Sequence, residues 1–258
     1  MTESRIVPFQ LPIEPLIGKV VVITGASRGL GAGLATRFAE QGAALGLCAR
    51  TEPRPPDGAR AVCAVVDVTD PAAVEGFAGA VAATLGPVDL WINNAGVLGP
   101  MGPQREHDPV DVALALNVNL GGVINGTRAF SRRARSWPES RRMLVNVSSG
   151  AARSIYEGWS IYSATKAAVE HFTEIVAVEE PDLVCLALSP GVIETDMQIK
   201  MRRIDQTAFP AVAKFRQIGA EGSANSASWV ADHLTGLFLG SLRPDGVVYR
   251  IPDENPLR

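Results

Sequence analysis

Between Lys19 and Phe38 the chain changes its hydrophobic period within a few residues, and that switch constrains the fold more than any other feature. Lys19-Val20-Val21-Val22-Ile23-Thr24 is a run of mostly β-branched residues with the length of a strand. It runs into Gly25-Ala26-Ser27-Arg28-Gly29-Leu30-Gly31 and then into an apolar helical pattern at Leu34, Phe38 and Ala39. Strand, glycine turn and helix in that order form the setting in which a helix N-terminus receives a pyrophosphate. Gly25 would allow the tight turn. Gly29 and Gly31 would let backbone approach the phosphates and let helix pack on strand. Gly25, Ser27, Arg28, Gly29, Leu30 and Gly31 are therefore the candidate dinucleotide cradle. The spacing is G-x-x-x-G-x-G rather than G-x-G-x-x-G, so the glycines alone also fit an ordinary strand-to-helix turn. No Gly-Lys-Ser/Thr follows, which argues against a P-loop.

The end of the second strand pattern bears on which dinucleotide. Ala44-Leu45-Gly46-Leu47-Cys48-Ala49-Arg50 carries no carboxylate at its tip. An NAD site usually places Asp or Glu there for the ribose 2′-hydroxyl. Arg50 follows Ala49, and Arg28 sits inside the glycine turn. Two guanidinium groups suit a 2′-phosphate, which Arg grips bidentately. NADPH/NADP+ is the expected cofactor. Asp67, after the third strand, is a candidate for the adenine, or else a plain loop acid. Val68 covers the adenine face or packs in the core.

Downstream, Tyr162-Ser163-Ala164-Thr165-Lys166 puts a phenol and an ammonium four residues apart on one helix face. A phenol ordinarily ionises near pH ~10, and a neighbouring ammonium favours the phenolate. The pair reads as a tuned general acid/base. Ser149 lies thirteen residues before Tyr162 and could hold the oxygen of a carbonyl substrate. Ser148 is its decoy, expected to face the other side of the strand end. Tyr156 has no Lys four residues on and is either a pocket wall or a surface residue. Ser149 also lacks the G-x-S-x-G setting of a hydrolase nucleophile.

These pieces, with Asn93-Asn94-Ala95-Gly96, Asn117-Val118-Asn119-Leu120 and Pro190-Gly191-Val192-Ile193-Glu194-Thr195, make the chain resemble the short-chain dehydrogenase/reductase family over roughly residues 18 to 250. The resemblance implies a single doubly wound Rossmann-type α/β domain with a seven-stranded parallel sheet of order 3-2-1-4-5-6-7 and helices on both faces. It implies a catalytic set of Asn119, Ser149, Tyr162 and Lys166. In that set Lys166 lowers the Tyr162 pKa and binds the nicotinamide ribose, and Asn119 holds a water that relays protons. It further implies cofactor contacts at Asn94, Ala95, Gly96, Tyr162, Lys166, Pro190, Gly191, Ile193 and Thr195, and association as a homodimer or homotetramer. Gly158-Trp159, Lys166-Ala167-Ala168, Val178-Glu179-Glu180-Pro181 and Thr195-Asp196-Met197-Gln198 look like the sepiapterin reductase and benzil reductase branch, which reduces diketones with NADPH. Sepiapterin reductases carry an Asp near the C-terminus that anchors the pterin. Aligning on Gly246 puts Arg250 or Tyr249 there, with Asp253 three residues on, which favours a benzil-like diketone or aromatic ketone. The rival readings are a 3-oxoacyl or steroid-type reductase and a silent NADP(H)-sensing protein.

The alternation of strand and helix patterns favours one α/β domain over 18–258, preceded by an arm over 1–17. Our coarse reading has strands at 19–24, 44–49, 61–66, 88–92, 143–147, 183–188 and 246–251. It has helices at about 29–41, from Asp70-Pro71, at 110–135, 160–180 and 222–240. Residues 194–218 read as a polar and apolar mixture. A formal net charge of −3 gives no electrostatic case for nucleic acid or a membrane surface. Arg128, Arg132, Arg133, Arg135, Arg141 and Arg142, around Trp137-Pro138, read as a solvated helix end. Cys48, Cys63 and Cys185 are scattered without a CxxC, as in a cytoplasmic protein. His107, His171 and His233 lack ligand spacing, so no metal is expected. Leu98, Met101, Trp159, Met197, Met201, Phe209 and Phe215 are the apolar pocket candidates. No anion-binding residue is evident among them, which makes a carboxylate substrate less attractive.

Overall fold

A computed structural model describes residues 15–137 and 141–254. Seven strands form one sheet: β1 (Val20–Thr24), β2 (Ala44–Ala49), β3 (Ala61–Val65), β4 (Leu90–Asn93), β5 (Arg142–Val147), β6 (Leu183–Ser189) and β7 (Val248–Arg250). The order is β3-β2-β1-β4-β5-β6-β7 and every pair is parallel. This is the doubly wound Rossmann-type arrangement.

Side chains alternate across β1, and both faces are covered, as a parallel sheet requires. Val21 and Ile23 join Leu45, Leu47, Leu34, Phe38, Leu234 and Phe238 on the face of α1 (Gly29–Glu40) and α8 (Ala227–Leu239). Val20 and Val22 join Phe77, Trp91, Phe130, Leu144 and Val176 on the other face. There lie α2 (Pro71–Leu85), α4 (Gly122–Ala134) and α5 (Ser160–Glu179). Helix α2 starts where the sequence places it: the Asp70 carboxylate accepts the Ala72 and Ala73 N–H groups, and Pro71 fills the first turn.

Two regions differ from the expected elements. The helix expected over 110–135 is three pieces: α3 (Pro109–Leu116), a π-helical turn (Asn117–Gly121) and α4. The widened turn allows Asn119 to point at the neighbouring Val97 backbone while α4 continues along β4. The 194–218 segment contains α6 (Asp196–Arg202) and the start of α7 (Val212–Glu221).

Of the expected N-terminal arm, residues 1–14 lie outside the described residues. Leu16 is wholly buried, and its N–H donates to the Gln41 carbonyl at 2.6 Å. Within the arginine cluster, Arg142 is buried and donates to the Trp137 and Val88 carbonyls. Arg133 pairs with Glu75 and Arg135 with Glu180. Arg142 and Arg133 thus pin the helix end to its neighbours, whereas Arg128, Arg132 and Arg135 are exposed, as the solvated reading expects. Pro138 lies outside the described residues.

Candidate active site

The sheet order reverses between β1 and β4, and in such sheets the crevice opens at the carboxyl ends of the two diverging strands. Thr24 ends β1. Its hydroxyl oxygen accepts the Asn94 and Ala95 N–H groups at 3.0 and 3.1 Å. Asn94 returns the contact by donating to the Thr24 and Gly25 carbonyls at 2.9 and 3.3 Å. The glycine turn is thus tied to the end of β4. Gly25 sits at φ +68°, and a Cβ on Gly31 would come within 2.4 Å of the Gly25 carbonyl oxygen. Only glycine fits at either place. No side chain caps the start of α1, so its first N–H groups stay open to an anion.

A cleft of about 800 Å³ runs from this turn across the carboxyl ends of the strands. Gly25, Ser27, Arg28, Gly29, Leu30, Arg50, Asp67, Val68, Asn94, Ala95, Gly96, Pro190, Gly191, Ile193 and Thr195 line it, whereas Gly31 lies behind the turn. Arg28 and Arg50 are exposed at the glycine-turn end, and Val68 is buried. The Asp67 carboxylate accepts the Thr69 N–H and O–H at 2.9 and 2.8 Å. Those bonds, with Arg50 nearby, hold it below the usual carboxylate range. Thr195 caps α6 by accepting the Gln198 N–H at 3.4 Å, and its methyl lies 3.2 Å from a Cβ placed on Gly29. The open N–H groups, the glycine-lined approach and the two exposed guanidinium groups fit a dinucleotide.

Ser149, Tyr162 and Lys166 line the middle of the same cleft. Tyr162 and Lys166 are buried, at 8% and 4% exposure. The Lys166 ammonium donates to the Val147 carbonyl at 2.8 Å and lies 5.6 Å from the Tyr162 ring centre. Burial lowers the Lys166 pKa to about 8. Burial pushes the Tyr162 phenol up, and its hydrogen bond with Ser149 pulls it back only in part. In the protein without ligand the phenol therefore sits above its ordinary value, its burial outweighing the Ser149 hydrogen bond.

Ser148 also borders the cleft, but its hydroxyl is turned toward α5. It is buried, and its hydroxyl donates to Glu170 at 3.0 Å. Asn119 is wholly buried. Its side chain accepts the Val97 N–H at 2.8 Å and donates to the Val97 carbonyl at 2.9 Å and to the Thr165 hydroxyl at 3.3 Å. Its amide is thereby engaged in fixing the loop after Gly96, where a Cβ would meet both Asn119 and Lys166.

At the far end the cleft becomes aromatic. Trp159 stacks on Tyr162 with ring centres 4.6 Å apart and planes 9° from parallel. Tyr156 packs on Trp159 at 5.8 Å and on Phe215 at 5.7 Å. Of the apolar candidates, Leu98, Trp159, Met197 and Phe215 line the cleft, while Met201 and Phe209 are wholly buried behind it. Met101 packs against the same cluster without lining the cleft. Tyr156 proves to be a pocket wall. Arg250 and Asp253 both line the cleft and pair with each other at 3.5 Å.

Several lining residues escaped the sequence reading, Asn225, Lys200 and Lys214 among them. Asn225, 4% exposed, donates to the Pro190 and Pro252 carbonyls and accepts the Glu254 N–H, so it ties the loop after β6 to the chain after β7. Its only local signal is a polar Ser-Ala-Asn-Ser stretch. Lys200 and Lys214 sit in the segment that read as a mixture, and they bring positive charge into the cleft.

The model of the short chain dehydrogenase family matches residues 19–206. A benzil reductase, (S)-benzoin forming, from Bacillus cereus is 28% identical over 249 residues, covering 91% of this chain and all of that protein. A sepiapterin reductase from Meriones unguiculatus is 33% identical over 198 residues, covering 69% of this chain and 76% of the relative. Among solved structures, levodione reductase superposes with a TM-score of 0.80 at 26% identity, covering 93% of this chain and 97% of that one. A glycine-turn cleft with a buried Tyr, Lys and Ser at its centre, on this sheet, thus coincides with an independent match over most of the sequence. The chain belongs to the short chain dehydrogenase family, in the branch of the benzil and sepiapterin reductases, and is an oxidoreductase that binds a nicotinamide cofactor.

Proposed function

We propose that the protein is an NADPH-dependent carbonyl reductase acting on aromatic ketones and vicinal diketones. The observation that carries this reading is the Tyr162–Trp159 stack: it puts an aromatic wall directly against the proton donor, beside Ser149. NADPH, when bound, supplies a hydride to the carbonyl carbon. Tyr162, kept protonated by burial, gives its proton to the carbonyl oxygen as that oxygen gains negative charge, so that C=O becomes CH–OH. Ser149 hydrogen-bonds the same oxygen and aligns it with the phenol. Lys166, held by Val147, presents its remaining donors toward the cofactor ribose and the phenol. Asn119 acts by holding Val97 and Thr165 in place, and a proton-relay water would sit between its turn and Lys166. Thr195 borders the nicotinamide end.

Arg28 and Arg50 support NADPH over NADH: both line the cleft, and no carboxylate ends β2. The proposal includes a cytoplasmic homo-oligomer. Exposed Val110, Leu114, Leu116, Ile124, Ile175 and Val178 on α3, α4 and α5 would be covered by a second copy. No described helix is long and apolar enough to cross a membrane.

The test is loss of NADPH absorbance with benzil, with NADH in parallel. Turnover with NADPH and little with NADH is expected. Replacing Tyr162 by Phe should lower kcat by roughly 10²- to 10⁴-fold, the usual contribution of a general acid. Near-normal turnover of that variant would overturn the mechanism, and equal use of NADH would overturn the cofactor assignment.

A further inference from the structure

We infer that Lys214, with the hydroxyl of Tyr156, receives a carboxylate on the far end of the substrate, so that anionic aryl ketones are preferred to neutral ones. The inference rests on the reductase reading above and narrows its substrate class.

Several observations converge on Lys214. Its ammonium lies 3.4 Å from the Tyr156 hydroxyl and 5.7 Å from that ring's centre. Tyr156 packs on Trp159, and Trp159 stacks on Tyr162. An aromatic wall therefore runs from the proton donor to a cation, which suits a flat molecule reduced at one end and charged at the other. Lys214, Phe215 and Ile218 all line the cleft, so this face of α7 looks into it.

Among the described residues no acid pairs with the cleft lysines Lys214 and Lys200. Of the acids along the cleft, Asp67 is bonded to Thr69 at the other end and Asp253 is paired with Arg250. Asp196 opens α6 beside Thr195, which adjoins the glycine turn.

The position of Lys214 on its helix points the same way. It lies in the first turn of α7, which has neither an acidic residue nor a side-chain cap. A cation there faces the positive end of the helix dipole and does not stabilise the helix. The ammonium favours an anion in the cleft, and the Tyr156 hydroxyl can donate a second hydrogen bond to it.

The experiment compares initial rates of NADPH oxidation with benzil and para-carboxybenzil, which differ only in the distal carboxylate. For the wild type, kcat/KM for the carboxylated diketone should exceed that for benzil by about two- to fivefold, mostly through KM, as an ion pair at a partly open site provides. Lys214→Met should bring the ratio near one, Lys214→Arg should restore most of it, and added salt should shrink it. A wild-type ratio near one, with benzil turned over, overturns this inference and leaves the reductase reading intact. A ratio that survives Lys214→Met overturns the assignment to Lys214. Failure to reduce either diketone overturns the reductase reading, and this inference with it.

Discussion

Tyr162 and Lys166 stand one helical turn apart, yet burial moves their proton affinities in opposite directions: the phenol holds its proton more tightly and the ammonium releases it at about 8. Both shifts favour the neutral form, as desolvation must. The consequence for stability has a definite sign. Between pH ~8 and ~10.5 the unfolded chain keeps the Lys166 proton that the folded chain has lost, so unfolding becomes harder as pH rises. Cys48 and Cys185 from about pH 9, and Tyr162 from about pH 10, act oppositely within the same range, because burial makes the folded chain keep protons that the unfolded chain gives up, so the rise belongs to Lys166 alone and not to the sum. The Lys166 contribution is isolated by difference. Denaturant unfolding of wild type and Lys166→Met from pH 8 to 10 should show the wild type gaining on the variant, by at most about 1.4 kcal/mol per pH unit. Parallel curves would mean that Lys166 titrates normally in the folded protein.

Between the residues and the sheet lie the connections that shape the cleft, and the loop after β6 shows how one side chain can hold two of them. Asn225 bonds to Pro190, Pro252 and Glu254 from a buried position. Asn225→Ala would leave buried carbonyls without donors, a cost of about 1–3 kcal/mol. It should also raise KM for the cofactor, because Pro190 and Gly191 line the cleft, and a variant with wild-type stability and KM would show the clamp to be idle. Nothing in the sequence marked Asn225, since a lone Asn in a polar stretch reads as any turn. The glycine turn and the Ser149, Tyr162, Lys166 set were legible for the opposite reason: their chemistry depends on residue type at short spacing. The π-helical turn at Asn117–Gly121 was hidden because one widened turn barely disturbs the apolar period of a long helix. Lys214 was hidden because α6 and α7 are short, and their placement depends on packing against Trp159 and Phe209 rather than on local pattern.

At the scale of the whole molecule, two apolar layers clamp the sheet from either side, and the cleft crosses only its carboxyl edge. A ligand filling that cleft touches β1, β4, β5 and β6 through their loops at once, so binding should stabilise the entire domain rather than one part of it. Ligand present at 100 times its Kd adds about 2.7 kcal/mol. In a domain of this size that corresponds to a rise in Tm of roughly 5–10 °C. NADPH should produce such a rise, and NADH at the same concentration a clearly smaller one, since only NADPH carries the phosphate that Arg28 and Arg50 would grip. Replacing both arginines by Ala should leave the NADH shift nearly as it was and reduce the NADPH shift to match it. The comparison needs no substrate, so it separates cofactor choice from catalysis. If the double variant kept the larger NADPH shift, the 2′-phosphate would have to be held elsewhere on the cleft, and the two exposed guanidinium groups would be ordinary surface charges.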